Sequence, residues 1–452
     1  MANRAYFVGH FWQSLAALAL AGLALPAAAL DLSEAYRLAL EQDAAYKAAQ
    51  AETEARREVL PQARAQLLPN VSMNLSRSRN HTDRDTRTAL GKTVSDSYDY
   101  FSSNYGITLR QPLFRKYNFA LYQQAGYDVE SAEANLDKSL QDLLVRLAGA
   151  YFEALMAQDQ HALILAQKEA YGIQLAAARR ALAAGQGTRT DIDDAQARYD
   201  MTLAQELEAA QNLGFTRRQL QVIVNEPVDN LSVLAPERMQ LESPMPASAE
   251  EWIARGEGVN PELRAMRANI ESAMQEVEKA RAGHLPTVDL IAQRAKTASE
   301  NNVSINTNYD STMLGLQASI PLFAGGYVNS QVRQAQASLK KFEQQYENRR
   351  REVAQMIRKE FQSVTEGVLK VRALEQAERS SDQAVISNQK GFQAGTRTQV
   401  DILNAQQQRM NTRRDLAQAR YQYILARVRL QGLVQSINQE EIETLNRWLR
   451  RS

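Results

Sequence analysis

The stretch Leu314-Gly315-Leu316-Gln317-Ala318-Ser319-Ile320-Pro321-Leu322-Phe323-Ala324-Gly325-Gly326-Tyr327-Val328 changes its rule partway along. Before Pro321 the apolar residues take every second position, the period of a strand with one apolar face. From Val328 they step through Val332, Ala335, Leu339, Phe342 and Tyr346, the three-and-four spacing of a helix stripe, and Val353, Ile357, Phe361, Val364, Val368 and Val371 continue it. A strand gives way to a long helix. The same change occurs earlier, where Tyr105, Ile107 and Leu109 alternate with Gly106, Thr108 and Arg110 ahead of Pro112-Leu113-Phe114, and a stripe from Tyr122 to Leu147 follows.

Each of these strands has a partner upstream. Leu68-Pro69-Asn70-Val71 and Leu285-Pro286-Thr287-Val288 open the alternating runs Val71, Met73, Leu75 and Val288, Leu290, Ala292. Downstream, Gly187-Thr188-Arg189-Thr190 matches Gly395-Thr396-Arg397-Thr398, and Asp191-Ile192 answers Asp401-Ile402 after an insertion, Gln399-Val400. Landmarks in one order at offsets of about 210 residues make a single long duplication, residues 30–240 and 241–452. Strand pairs are expected at about 70–112 and 286–321, with the polar segments Asn80–Ser97 and Ser299–Ser311 as hairpin loops. Long helices are expected at about 113–184 and 322–394, each about 100 Å at 1.5 Å per residue. Gly185, Gly187 and Gly395 supply the turns, and returning helices follow at about 189–225 and 398–437 before a C-terminal belt.

Composition closes off several functions. The chain has 452 residues, 53 Lys and Arg against 52 Asp and Glu, and no Cys. Its mean hydropathy is −0.45. A near-neutral charge gives no field for nucleic acid, and the hydropathy is wrong for a bundle of spanning helices. Disulfides and thiolate sites are excluded, and His81, His161 and His284 lack ligand spacing. There is no phosphate-binding Gly loop, His-Glu-x-x-His or nucleophile elbow, so neither catalysis, cofactor nor metal is expected. Residues 1–29 read as an export signal: Arg4, the apolar run Leu15–Leu25, then Pro26 and Ala27-Ala28-Ala29, with removal before Leu30.

Four strands with one apolar face and one of Ser, Asn, Thr, Gln and Arg fit the lipid-out, water-in alternation of an outer-membrane barrel. Four cannot close one, because the smallest have about eight, so two or three copies are required. Tyr98, Tyr100, Phe101, Tyr105, Phe114, Tyr117, Phe119 and Tyr122 suit an interfacial aromatic girdle, the last three fitting helix packing equally well.

This order of features resembles the TolC family of outer-membrane export channels over nearly the whole mature chain. The closest echoes are Ala150-Tyr151-Phe152, Thr190-Asp191-Ile192 with Ala197-Arg198-Tyr199-Asp200, Gly283-His284-Leu285-Pro286-Thr287, Gly325 through Val332, and Gly395-Thr396-Arg397-Thr398 with Val400-Asp401. The resemblance implies a mainly α chain with a membrane β part. Three copies would form a twelve-stranded barrel in the outer membrane and a twelve-helix periplasmic tunnel, with 227–248 and 430–452 as belt. It implies an exit duct for type I protein secretion or multidrug efflux, whose partners are a periplasmic adaptor (membrane fusion) protein, an ABC or RND type inner-membrane transporter and outer-membrane lipid. The rival reading is an exported coiled-coil scaffold without a pore.

The resemblance also nominates residues. Arg397 would be the donor of a gate latch, with Thr190 and Asp191 as its acceptors. Asp401 and Asn404 would form a constriction ring; the family archetype has Asp at both, so this ring would carry fewer carboxylates and bind cations more weakly. Phe392 stands where the archetype has a Tyr hydrogen-bonded to the latch Asp, and that bond cannot form without a hydroxyl.

Overall fold

The computed structural model describes residues 29–299, 307–434 and 439–450. Residues 1–28 of the expected export signal lie outside the described residues, as do 300–306 of the second hairpin and parts of the C-terminal segment. Three helices open the chain, α1 (Leu32–Gln42), α2 (Ala44–Arg57) and α3 (Val59–Ala65). Then come β1 (Asn70–Arg87), β2 (Thr93–Phe114), α4 (Lys116–Ala183), α5 (Arg189–Val224) and β3 (Val233–Leu234). The second half supplies α6 (Ala249–Val259), α7 (Pro261–Arg281), β4 (Thr287–Ser299), β5 (Thr307–Ser319), α8 (Tyr327–Gln393), α9 (Gln399–Val434), α10 (Gln439–Arg447) and β6 (Leu449–Arg450). The chain divides into two compact units, one of Met1–Tyr46, Gln141–Trp252 and Met356–Ser452, the other of Lys47–Leu140 and Ile253–Gln355. Each unit draws on both halves of the duplication.

The second unit holds an antiparallel sheet in the order β1-β2-β4-β5. Its register sets Val71, Met73 and Leu75 opposite Leu109, Ile107 and Tyr105. It also sets Leu109 opposite Ala292, and Leu290 and Ala292 opposite Leu316 and Leu314. Residues directly opposite share a face, so these side chains make one apolar band across all four strands. It is exposed in the protomer, Leu75 at 61% and Leu316 at 69%.

The segment Asn80–Ser97 is not a loop. All but a five-residue turn, Thr88–Lys92 with Gly91 at φ 77°, continues the strands. Here Arg77, Arg79, His81 and Asp83 on one face and Ser78, Asn80, Thr82 and Arg84 on the other leave no alternation to read, because both faces are polar. Cross-strand bonds such as Asn80 Nδ2 to Ser102 Oγ (2.9 Å) and His81 to Asp99 (3.2 Å) hold the extension. The eight residues by which the first strand pair exceeds the second thus lie in a hairpin with a short turn. In the second pair, Thr307–Ser311 belong to β5. Of the expected girdle, Phe101 and Tyr105 share the apolar face, whereas Tyr98 and Tyr100 lie opposite Thr82 and Asn80 on the other. Tyr117, Phe119 and Tyr122 on α4 are all exposed in the protomer.

Helix α4 starts at Lys116 and α8 at Tyr327, a few residues later than expected, because pairing outlasts Pro112 in the first repeat and Gly325 and Gly326 at positive φ precede α8 in the second. A register shift between Pro112 and Phe114 leaves Leu113 unpaired, a bulge that bends the strand before the helix begins. Arg115 follows at once. Its Nε donates to Asp289 Oδ1 at 2.8 Å and its Nη2 to Oδ2, a two-bond fork on a carboxylate whose side chain is only 7% exposed. After the corresponding Pro321-Leu322-Phe323 stands Ala324, and Leu322 and Phe323 are over 90% exposed.

In the first unit α4, α5, α8 and α9 bury Leu143, Leu147, Tyr151, Phe152, Leu220, Val364, Val368 and Ile424. The α8 stripe read from the sequence is buried or half-buried throughout. Segments 227–248 and 430–452 meet: Val233 and Leu234 pair with Arg450 and Leu449, and Ala235 N donates to Trp448 O at 2.8 Å. Tyr151 Oη ties this region to the start of the described chain, donating to Leu30 O at 2.9 Å.

Breaking the Arg115 fork should be costly because Asp289 stays buried. Arg115→Ala is expected to destabilise by about 3–5 kcal/mol in thermal or denaturant unfolding, and Arg115→Ala with Asp289→Asn to recover most of it. Equal losses in the single and double variants would show that the pair is not the source.

Candidate functional site

The residues nominated by sequence gather at the two turns that join α4 to α5 and α8 to α9. Both turns use one device. Gly185 and Gly395 each take φ 73°, and Gln186 N to Ala181 O (2.9 Å) and Thr396 N to Gly391 O (2.8 Å) close six-to-one bonds over the helix end. A Thr three residues later caps the returning helix. Asp191 N donates to Thr188 Oγ1 at 3.2 Å while Thr188 N donates to Asp191 Oδ2 at 2.9 Å; Asp401 and Thr398 repeat both bonds at the same lengths.

This geometry corrects the alignment of the repeat. Gly185 matches Gly395, Thr188 matches Thr398 and Asp191 matches Asp401, at a constant offset of 210 with no insertion. The shared Gly-Thr-Arg-Thr string is two residues out of that register. Arg397 therefore stands where the first repeat has Gly187, and Arg189 is the first residue of α5, ion-paired with Asp193 at 3.3 Å.

Arg397 is held by its neighbour's lack of a side chain. A Cβ on Gly391 would lie 2.6 Å from Arg397 Cγ, so the arginine stem rests on bare backbone in the last turn of α8. The first repeat inverts the arrangement: Ala181 occupies the helix position, and a Cβ on Gly187 would come within 3.1 Å of it. Nothing in the sequence singled out Gly391, since a helical Gly without its partner's position carries no signal.

The protomer does not bring Arg397 to its nominated acceptors. Among the described residues Arg397 forms no ion pair with Asp191, whose carboxylate is taken up by its own cap, and Thr190 is exposed. The Phe392 ring is exposed, and its carbonyl accepts from Gly395 N at 3.0 Å. The Asp401 carboxyl sits below the usual carboxylate range, chiefly through the Thr398 backbone N–H, then its hydroxyl, with Arg397 adding a field. One turn on, Asn404 Oδ1 accepts from Arg198 Nη2 of α5 at 2.8 Å.

Further along, α9 is tied to α4 by uncharged groups. Gln399 Nε2 donates to Gln174 Oε1 at 2.6 Å, and Gln407 Oε1 accepts from Tyr171 Oη at 2.7 Å and from Gln167 Nε2 at 3.1 Å. Beyond them Tyr421 Oη donates to Asp159 Oδ2 at 2.5 Å; burial pushes that carboxyl up, outweighing the opposing Tyr421 bond. A Gln-rich helix reads as a solvated one, and these ties carry no sequence signal. Among the described residues no cluster of His, Asp or Glu is placed to hold a metal, and no helix is long and apolar enough to cross a membrane.

Comparison with known proteins places this arrangement. The profile of the family described as outer membrane efflux protein matches residues 35–226 and 253–434. The chain is 34% identical over 427 residues to the Proteases secretion protein PrtF of Dickeya chrysanthemi, covering 93% of this chain and 92% of that one. It is 34% identical over 418 residues to the Alkaline protease secretion protein AprF of Pseudomonas aeruginosa, covering 92% and 86%. Among solved structures the outer-membrane channel OprN superposes with a TM-score of 0.78 at 19% identity, covering 90% of each chain.

The contact of Gly391 with Arg397 can be tested by a double-mutant cycle on thermal unfolding. Gly391→Ala in an ordinary helix would stabilise by about 1 kcal/mol; here it should instead destabilise by about 1–3 kcal/mol through overpacking. With Arg397→Gly, which recreates the first turn, that penalty should vanish. Equal effects in both backgrounds would dissolve the contact.

Proposed function

The chain belongs to the outer membrane efflux protein family, and from that premise we propose that it serves type I secretion of a protein cargo. It is an outer-membrane exit duct. Family members are channels that work as homotrimers with periplasmic adaptors and inner-membrane transporters. For this chain an ABC-type transporter is the reading favoured by two relatives named for protease secretion, each covered over most of its length.

The observation that carries the duct is the open sheet. Among the described residues β1 and β5 each pair on one side only, and the sheet presents an apolar band. In hydrocarbon such edges must be paired, and β5 of one copy against β1 of the next pairs both, with three copies giving twelve strands. The internal seam supplies the register. β2 meets β4 with Leu109 opposite Ala292 and Gln111 opposite Leu290. Carried through the duplication, this sets Ala318 opposite Leu75 and Ile320 opposite Met73 of the neighbouring copy. Apolar residues then face apolar ones, as they do inside the protomer.

The turns would form the gate. Among the described residues Arg397 forms no ion pair in its own protomer, acting on Asp401 only through its field, which suits a latch to Thr190 and Asp191 of a neighbour, released when docking of the adaptor and transporter biases a closed-to-open equilibrium. Phe392 adds no hydrogen bond to this latch through its side chain. Asp401 and Asn404, three apart on α9, would ring the passage just inside it.

Two measurements bear on these readings. The chain has no Cys, so Ala318→Cys with Leu75→Cys should give covalent trimers on a non-reducing gel, whereas Ala318→Cys with Arg77→Cys should not. Cross-linking only in the shifted pair would overturn the register, and a detergent-free monomer would overturn closure. In planar bilayers Arg397→Ser should raise single-channel conductance; unchanged conductance would remove Arg397 from the latch, and absence of any current from the intact chain would favour a scaffold without a pore.

A further inference from the structure

Arg198 has no part in the readings above, although it reaches the ring. It lies on α5, seven residues after the capping Asp191, and its guanidinium donates to Asn404 Oδ1 across to α9 at 2.8 Å. Asn404 in turn sits one helical turn from Asp401, so both belong to one face of α9. We propose that Arg198 sets the ion selectivity of the constriction, Asn404 serving as the neutral acceptor that anchors its charge beside the Asp401 carboxylate. This rests on the reading of Asp401 and Asn404 as the ring.

The charge count explains why the partner is an amide. Asp401 remains ionised, since its cap bonds from Thr398 favour the carboxylate. Arg397 is matched to Asp191 if the latch forms. Arg198 then faces one carboxylate per protomer, and an Asn at 404 leaves its charge uncancelled by the group it touches. Three copies would carry three carboxylates and three guanidiniums at this level, a ring of alternating sign without a net attraction for cations. A carboxylate at 404 would neutralise Arg198 and restore net negative charge. The second role is mechanical. Arg198 and Asn404 join the returning helices α5 and α9 within one protomer, so the guanidinium is positioned by both.

The chemistry this favours is an anionic or mixed-charge solute passing the narrowest point without being repelled. A unit charge acts on an ion about 7 Å away in water by a factor of about threefold in local concentration. It acts on potassium and chloride in opposite directions, so removing it should shift the permeability ratio of potassium to chloride by the square of that factor, about sevenfold.

The test is the zero-current potential of the full-length trimer in a planar bilayer across a potassium chloride gradient. Arg198→Gln and Asn404→Asp should each shift selectivity toward potassium by about sevenfold, and Arg198→Lys, which keeps the charge, should leave it near the parent value. Asp401→Asn should shift it toward chloride. If Arg198→Gln leaves selectivity unchanged while Asp401→Asn moves it, the inference falls and the ring stands. If neither moves it, the ring itself is misplaced and the inference falls with it. A shift in Arg198→Lys as large as in Arg198→Gln would assign the effect to the lost bond to Asn404 rather than to charge, and would also overturn it. Trimer bands on unheated gels confirm that each variant is assembled.

Discussion

A sheet edge in hydrocarbon has nowhere to send its backbone hydrogen bonds. Every unpaired N–H and C=O there costs free energy that water would otherwise recover, so a strand facing lipid must have a neighbour on each side. Among the described residues this sheet has four strands, with an apolar band across all of them and edges on β1 and β5. Assembly is thus a condition of the strands' existence in the membrane. The duplication makes it simple: the seam inside the protomer, β2 against β4, is the template for the seam between protomers.

The junction between strand and helix shows how the two halves have specialised. In the first, the bulge at Leu113 leads directly to Arg115, whose two bonds to Asp289 fix α4 to the sheet inside one chain. In the second, Pro321-Leu322-Phe323 is followed by Ala324 and two glycines at positive φ, and two large apolar side chains stand in the open. One junction is completed by its own protomer. The other stays open in the protomer. The same division recurs at the turns, where Ala181 with Gly187 and Gly391 with Arg397 exchange which partner is small.

Much of this was legible from period alone. Alternation located the four strands wherever one face is apolar, and it failed at Asn80–Ser97 because a hairpin wet on both faces has no contrast to display. Unbroken helical stripes located α4 and α8, and their starts shifted because pairing persists past Pro112 at a bulge in one repeat and two glycines at positive φ precede the helix in the other. The turns were located correctly by glycine but aligned wrongly by a four-residue string. Thr-x-x-Asp, the cap itself, was the physical signal that held both repeats in register. Arg198, Gly391 and the glutamine ties on α9 were illegible because each depends on what a second helix places opposite, and spacing along one helix cannot report that.

The ties along α9 divide by kind. Toward α8 they are ion pairs, Arg413 with Glu378 (3.2 Å) and Asp382 (3.1 Å) and Arg420 with Glu375 (2.9 Å); toward α4, at Gln407 with Gln167 and Tyr171, they are amides and a hydroxyl. Dissolved salt weakens the first kind within a Debye length of about 8 Å at physiological ionic strength and scarcely touches the second. Rising salinity would therefore loosen α9 from α8 while its hold on α4 persisted, an asymmetry written into which residues carry formal charge.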